Sequence, residues 1–140
     1  MTQEEKNLLL KDLCARLPHK QKVCYKIHDN SEEITETLSG ALLDYFKTGK
    51  IAVVKPYLRP MSSMTEEEIY EYNKLVELDR SDKETFNNLR IDYIQNHLEY
   101  KNMPFVPMYR HIDYLNTHRL DYRGLIPFGL ALPAPEGMYK

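Results

Sequence analysis

The sequence predicts an α+β fold: an N-terminal helix, a small antiparallel β-meander, two to three further helices and an ordered apolar C-terminal tail. Leucines at helical spacing near the N-terminus, β-branched alternation over residues 21–54 and helix caps after residue 64 lead to this prediction. We expect one domain spanning residues 1–140, because a chain of this length fits a single hydrophobic core.

The first helix follows from its cap and its apolar spacing. Thr2 stands three residues before Glu5, as in a capping box, and Pro18 ends the helical pattern. The residues predicted to face the core are Leu9, Leu10, Leu13, Cys14 and Leu17. Cys14 and Cys24 match no metal or redox spacing, so both are expected to be reduced thiols in the core.

The period then changes to that of strands. Val23, Tyr25 and Ile27 alternate with polar neighbours, and residues 51–54 form a β-branched run. Residues 33–46 fit either a helix or extended chain. We favour extended chain, because Gly40 suits a bulge and weakens a helix by about 1 kcal/mol. Together these segments predict an antiparallel meander, for which an SH3-like sheet is one arrangement.

The block from Lys55 to Glu68 joins a strand to a helix. Pro56 and Pro60 lack amide donors, so the segment between them is predicted to be extended and outside the interior of a sheet. Thr65 with Glu68 forms a second capping box and begins a helix, whose predicted apolar stripe is Ile69, Tyr72 and Val76.

The remaining chain predicts two more helices and the tail. Ser81 with Glu84 resembles a third capping box, and the helix after it is expected to turn inward Phe86, Leu89, Tyr93, Ile94 and Leu98. After Pro104 and Pro107 a short helix is expected to end near His118. The tail from Leu120 is dense in apolar residues, so it must be buried on this domain or on a partner.

Composition restricts the classes of function. Residues 61–104 carry five basic and ten acidic side chains, a net charge of −5, which disfavours a polyanionic partner. No apolar run approaches the roughly 18 residues of a membrane span. The first residues also lack a basic start and an apolar core like those of a signal peptide. We therefore expect a cytoplasmic protein with no membrane partner.

Catalytic and metal patterns are weak. Asp92, Glu99 and Lys101 resemble the carboxylate and lysine set of metal-dependent nucleases, but that set lies on strands and this segment has helical period. His111 and His118 would share a helix face, yet a zinc site needs three or four ligands. No catalytic residue, metal ligand or cofactor is assigned.

Tyrosine and arginine supply the binding candidates. The chain has 11 tyrosines, and tyrosine with arginine dominates protein-interaction hot spots. The predicted partner-binding residues are Tyr57, Arg59, Tyr122, Arg123, Leu125 and Phe128. Arg110 and Arg119, with Arg59, Arg123 and Tyr57, would instead suit a nucleic acid that stacks on rings and pairs with guanidinium groups. Stacking and ion pairing within the fold explain the same residues with no ligand.

Three blocks carry a family resemblance: residues 6–18, Lys55 to Glu68, and Asp113 to Asn116 continued by Leu120 to Lys140. They resemble a family of small uncharacterised proteins of gut Bacteroidales genomes and their phages and mobile elements. These blocks cover a little over a third of the chain. It implies an intracellular α+β protein of one domain with strands between the first helix and Lys55, and it supplies no catalytic or ligand residue.

The favoured hypothesis is a non-enzymatic intracellular protein-interaction module of a phage or mobile element, with an unidentified protein as partner. The alternative is a nucleic-acid-associated protein built on a small β-sheet. A metal-dependent hydrolase or nuclease is a distant third, and it would need a cleft that joins His111, His118 and a carboxylate.

Overall fold

A computed structural model describes residues 1–95 and 109–139, and the side chains of residues 1–81 and 109–139. The elements in chain order are α1 (Gln3–Arg16), β1 (Lys22–Lys26), β2 (Ile34–Thr37), α2 (Gly40–Lys47), β3 (Val53–Leu58), α3 (Glu66–Gln95), α4 (Arg110–Thr117) and β4 (Leu132–Pro133). The predicted α+β class is confirmed. None of the helices in these ranges is both long enough and apolar enough to span a bilayer.

The chain divides into two compact units. Unit 1 comprises residues 1–63 and 115–140 and holds the sheet, and unit 2 comprises residues 64–114 and is helical. The sequence predicted a single domain over residues 1–140, which stays a prediction, and each unit is described by itself.

The sheet of unit 1 is mixed, with strand order β2-β1-β3-β4. β1 pairs antiparallel with both β2 and β3, whereas β4 runs parallel to β3. The predicted meander is therefore wrong in its topology: α2 lies between β2 and β3, and β3 returns to the far side of β1. An SH3-like arrangement is left unconfirmed by this sheet.

Pro56 lies inside β3, opposite Val23, although its segment was predicted to stay outside a sheet interior. The carbonyl of Leu58 accepts a hydrogen bond of 2.8 Å from Ala134, which follows β4. Backbone groups alternate along a strand, so the nitrogen of Pro56 points to the same side as Leu58 and away from β1. β4 pairs with β3 only from Tyr57 onward, and the proline therefore costs the β1–β3 ladder no donor.

The ambiguous segment contains both structures. β2 confirms the extended prediction for residues 34–37, but residues 40–47 form α2, so the extended prediction is wrong there. The hydroxyl of Ser39 accepts a hydrogen bond of 3.2 Å from the backbone N–H of Leu42 and caps the helix. Leu42 and Phe46, four residues apart, bury their side chains in the core. Gly40 is the first helical residue and not a bulge.

Helix α1 forms as predicted, with both hydrogen bonds of the Thr2–Glu5 capping box. Its buried side consists of Leu9, Asp12, Leu13 and Arg16. Cys24 is buried as expected, but Cys14 is exposed, so the prediction of a core thiol is wrong for Cys14. The buried side includes a charged pair that hydrophobic periodicity alone does not reveal.

The C-terminal tail is part of unit 1 and packs in its core. Leu120 and Leu125 are fully buried, and Leu130 and Ala131 are nearly so. Both carboxylate oxygens of Asp121 accept backbone N–H groups at the turn into Leu125. The tail is thus part of the core of unit 1. Of the two possibilities that the sequence left open, burial on this domain or on a partner, the structure shows the first.

Unit 2 begins with the predicted cap, in which Thr65 and Glu68 exchange hydrogen bonds of 3.1 and 3.0 Å. α3 then continues through Ser81, so the prediction of a new helix start at that residue is wrong. In the predicted stripe Tyr72 and Val76 are half-buried, while Ile69 is exposed. The short helix ending near His118 is confirmed as α4. The side chains predicted to face inward from Phe86 onward lie outside the described residues, as do Pro104 and Pro107.

Candidate protein-interaction site

The sheet of unit 1 has one face toward the core and one outer face. Val23 of β1 and Val54, Pro56 and Leu58 of β3 are buried on the core side. The alternate positions form the outer face, which consists of Lys22, Cys24, Lys26, Val53, Lys55 and Tyr57. Three lysines and a tyrosine therefore share one surface.

Cys24 is the buried member of the outer face. Burial raises the pKa of its thiol, a hydrogen bond from Tyr57 opposes that change, and the carboxylate of Glu33 adds to it. The thiolate is therefore disfavoured, and Cys24 is better suited to packing than to nucleophilic chemistry.

A cavity of about 400 Å³ opens beside the outer face, and we call it the outer-face cavity. Its sheet residues include Val53 and Lys55 of β3, and its other walls come from the N-terminus and the tail. The lining residues are Met1, Glu5, Cys24, Tyr25, Lys26, Asp29, Glu33, Val53, Lys55, Phe128, Gly129, Leu130 and Leu132. Both charge signs and two large exposed apolar side chains thus surround one opening.

Phe128 is the most exposed large hydrophobic residue described, at 72% of its maximal accessible surface. A turn fixes it there: Gly129 donates to the carbonyl of Ile126 at 3.0 Å, and Leu130 donates to that of Leu125 at 3.0 Å. Gly129 has φ of +73°, a conformation that favours glycine. Because Leu125 and Leu130 are buried, the turn between them must pass over the surface with Phe128 outward.

Two of the predicted residues lie at the end of β3. Tyr57 is half-buried on the outer face, and its carbonyl accepts hydrogen bonds from Gln21 and from the hydroxyl of Tyr139. The backbone of Arg59 pairs with the tail at Leu120, and its guanidinium donates to the carbonyl of Ser63 at 3.1 Å. Arg59 thus stabilises the chain where it leaves β3.

Tyr122 and Arg123 belong to a charged cluster within unit 1. The fully buried carboxylate of Asp12 accepts from Arg16 at 2.8 Å and from Arg123 at 3.1 Å. Both guanidinium groups lie over the ring of Tyr122, whose hydroxyl donates to Asn116 at 3.0 Å. These interactions join α1 to the tail.

Arg119 also binds within the fold. Its guanidinium donates to the carbonyl of His19 at 2.7 Å and lies 4.4 Å from the ring centre of Tyr139. Burial raises the pKa of Tyr139 to about 12, although nearby hydrogen bonds and the charges of Arg119 and Arg16 oppose the rise. Stacking and ion pairing inside the fold, the third sequence explanation, therefore describe Arg119, Tyr122 and Arg123.

Leu125 is completely buried in the core of unit 1 and has no surface to present in this fold. Of the six residues predicted for partner binding, Phe128 is the side chain that projects outward. Sequence reasoning missed the lysines of the outer face. Lys22 and Lys26 lie at alternate positions of β1, and Lys55 lies at a position of β3 on the same face; this period of two was the signal that would have placed them together.

In unit 2, Asp79 joins α3 to α4. Its carboxylate accepts from the backbone N–H of His111 at 2.9 Å and lies 2.5 Å from the Nδ1 of the same residue. Burial opposes ionisation, but the hydrogen bonds and charge of His111, with the Arg110 guanidinium 3.7 Å away, hold the pKa of Asp79 below its usual range. Arg110 and His111 thus bind the buried carboxylate of Asp79 and join the two helices.

The side chains considered for catalysis or metal binding do not come together in a site within the described ranges. There, no group of three or more His, Cys, Asp or Glu side chains is placed to hold a metal ion. Glu99 and Lys101 lie outside the described residues, as does the side chain of Asp92.

Comparisons of this chain with protein-family models, curated proteins and solved structures gave no match.

Proposed function

We propose that this chain is a non-enzymatic, cytoplasmic protein-interaction module, and that its partner binds at the outer-face cavity around Phe128. The exposure of Phe128 is the observation that supports the proposal. A rigid aromatic ring held in solvent beside a cavity is a favourable anchor, because covering it removes apolar surface from water.

The composition of the cavity rim supports a protein partner. Lys26 and Lys55 stand with Glu5 and Glu33 around the apolar surface of Phe128. An apolar centre with a polar, charged rim is the usual anatomy of a protein interface. The placement of the module in a phage or mobile element depends on the family resemblance of the sequence alone.

Nucleic-acid binding is the second candidate, and it now depends on different residues. Lys22, Lys26 and Lys55 share the outer face with Tyr57, a combination that can neutralise phosphate and stack on a base. Arg119 and Arg123, which first suggested this function, have partners within the fold. The favoured proposal differs from this one in requiring Phe128 and not the lysines.

The test is affinity purification of the tagged protein from cells of its native host, with and without nuclease, followed by mass spectrometry. Phe128→Ala is compared with Tyr70→Ala, which removes an aromatic ring of similar exposure, 70%, from unit 2. We expect a near-stoichiometric protein that resists nuclease, is retained by Tyr70→Ala and is lost with Phe128→Ala.

Two outcomes would count against the proposal. Retention of the partner by Phe128→Ala would remove the outer-face cavity as its site. Enrichment that disappears with nuclease, and with a Lys22→Glu, Lys55→Glu variant, would establish the nucleic-acid alternative instead.

A further inference from the structure

We infer that the partner at the outer-face cavity is a second copy of this chain, bound about a two-fold axis so that Phe128 of each copy enters the cavity of the other. This names the partner of the proposed function and therefore rests on it. Both copies use the same surface in a two-fold dimer, so that surface must be complementary to itself. The outer-face cavity meets this requirement in its shape, its apolar surface and the charges on its rim.

Phe128 and the cavity lie side by side on one surface. The ring of Phe128 is 72% exposed and belongs to the lining of an opening of about 400 Å³. That volume is within the range of about 300–1,000 Å³ typical of pockets that enclose small ligands, so a phenyl ring fits. A two-fold axis that lies between the ring and the cavity places each ring opposite the cavity of the other copy.

Apolar surface continues from Phe128 into the cavity. Met1 is 59% exposed, Val53 and Leu132 are half-buried, and all three line the opening. Single apolar side chains are common on protein surfaces, but several gathered around one opening mark a surface that another molecule covers. Removal of both rings and these side chains from water supplies the attraction between the copies.

Two charges of opposite sign on the rim are unmatched. The charged residues that line the cavity are Glu5, Lys26, Asp29, Glu33 and Lys55. The carboxylate of Glu5 accepts the backbone N–H of Thr2 in the helix cap, and the ammonium group of Lys26 lies 3.9 Å from the carboxylate of Glu33. Within the described part of the chain, neither Asp29 nor Lys55 forms an ion pair.

The positions of Asp29 and Lys55 favour a second copy as the occupant. Lys55 lies opposite Cys24 in the β1–β3 ladder, whereas Asp29 follows the end of β1. In a two-fold dimer Asp29 of one copy can pair with Lys55 of the other, and the same pair then forms a second time. A partner with only acidic or only basic residues at this surface would leave one of the two charges facing its own sign.

Sedimentation equilibrium of the purified whole chain measures self-association, at concentrations up to about 1 mM. Phe128→Ala is compared with Tyr70→Ala, which removes a ring of 70% exposure from unit 2. Asp29→Lys and Lys55→Glu are measured separately and as an equimolar mixture. Asp44→Lys, at an exposed position of α2 outside the cavity, controls for the change of charge. Circular dichroism checks that each variant is folded.

We expect a dimer with a dissociation constant of about 1–100 μM, weakened about tenfold or more by Phe128→Ala and unchanged by Tyr70→Ala. Asp29→Lys and Lys55→Glu should each weaken the dimer by about tenfold or more, because each creates two like-charge contacts. Their mixture should associate to within about threefold of the unmodified chain, since a dimer with one copy of each variant regains both ion pairs, one with its signs exchanged. Asp44→Lys should have no effect.

A chain that stays monomeric at about 1 mM would overturn the inference, as would a dimer that Phe128→Ala leaves intact. A mixture that associates no better than its two components would overturn it as well. A monomeric chain that captures a different host protein through Phe128 would also overturn it, but the proposed function would stand. The proposed function fails separately, if Phe128→Ala retains the partner captured from host cells.

Discussion

At the scale of single residues, the hydroxyl of Tyr139 completes the end of the β1–β3 ladder. It donates to the carbonyl of Tyr57 at 2.7 Å and accepts from the backbone N–H of Lys22 at 3.1 Å. Gln21 donates to the same oxygen at 2.7 Å. One side chain from the end of the tail thus satisfies polar groups at the start of β1 and the end of β3.

Replacement of this hydroxyl should destabilise unit 1. In Tyr139→Phe the ring remains but three polar partners lose a bond, so we expect a loss of roughly 1–3 kcal/mol in the free energy of unfolding. Urea denaturation measures it. Tyr70→Phe is the control, because that ring is 70% exposed, and its change should stay within about 0.5 kcal/mol.

The same hydroxyl predicts that the stability of unit 1 depends on pH in the alkaline range. Burial raises the pKa of Tyr139 from 10.0 to about 12, so the folded state favours the protonated phenol. Its contribution to stability is complete below about pH 10 and is lost as the pH rises toward about 12. The difference in unfolding free energy between the native chain and Tyr139→Phe should narrow over this range, and a constant difference would contradict the assignment.

At the scale of elements, α2 shows how a short helix can override the preference of its sequence for extended chain. Ser39 caps it, and Leu42 and Phe46 place its apolar side in the core. Gly40 and neighbouring threonines favoured a strand, but burial of a leucine and a phenylalanine contributes more than the roughly 1 kcal/mol that glycine costs.

Gly40→Ala distinguishes the helix from the predicted bulge. A Cβ at Gly40 meets nothing within 4 Å, and its φ is not in the positive region, so we expect stabilisation of about 0.5–1 kcal/mol. Gly129→Ala is the matched control: it has equal space, but φ of +73° should make alanine destabilising by about 1–2 kcal/mol. Thermal unfolding measures both, and a loss of stability in Gly40→Ala would contradict the helix.

The helix caps were the features of these elements that the sequence could predict. The boxes at Thr2 and Thr65 set real helix starts because the side chain and backbone that exchange hydrogen bonds lie three residues apart. The same spacing at Ser81 failed, since an exposed serine is tolerated inside a helix. Strand pairing could not be predicted from local sequence. Pro56 is tolerated in β3 only because its nitrogen faces away from β1, and the strands that determine this are distant in sequence.

In the candidate site, too, a local feature could be predicted from the sequence but the packing could not. Phe128 was found from the sequence because glycine and proline around it signalled a turn in an apolar segment. Leu125, three residues earlier, belongs to the same apolar run but is buried, and no local pattern separates the two. The direction of each side chain is set by the buried leucines on both sides of the turn.

At the scale of the whole chain, residues far apart in sequence close unit 1. The guanidinium of Arg16 donates to the carbonyl of Leu120 at 2.8 Å, 104 positions away, and Asp12 pairs with Arg123. Leu125 and Leu130 share one core cluster with Leu9 and Leu13 of α1. The tail therefore stabilises the N-terminal helix through apolar contact and through a buried charged cluster.

This closure predicts different results for two neighbouring tail residues. Leu125→Ala should cost about 2–5 kcal/mol in unfolding free energy, because it leaves a cavity in a fully buried site. Phe128→Ala should change stability by about 0.5 kcal/mol or less, because its ring is 72% exposed. Urea denaturation followed by circular dichroism measures both.

Removal of residues 120–140 extends the comparison to the whole tail. The truncated chain loses Leu120, Leu125 and Leu130 together, each worth roughly 1.5–3 kcal/mol of burial, and a typical domain is stable by only about 5–15 kcal/mol. We expect it to lose cooperative unfolding of the sheet, with α1 released from its charged cluster. If the melting temperature were unchanged, and Leu125→Ala were as mild as Phe128→Ala, the tail would not belong to the core. The exposure of Phe128 would then be no guide to partner binding, because its position depends on the packing of the leucines beside it.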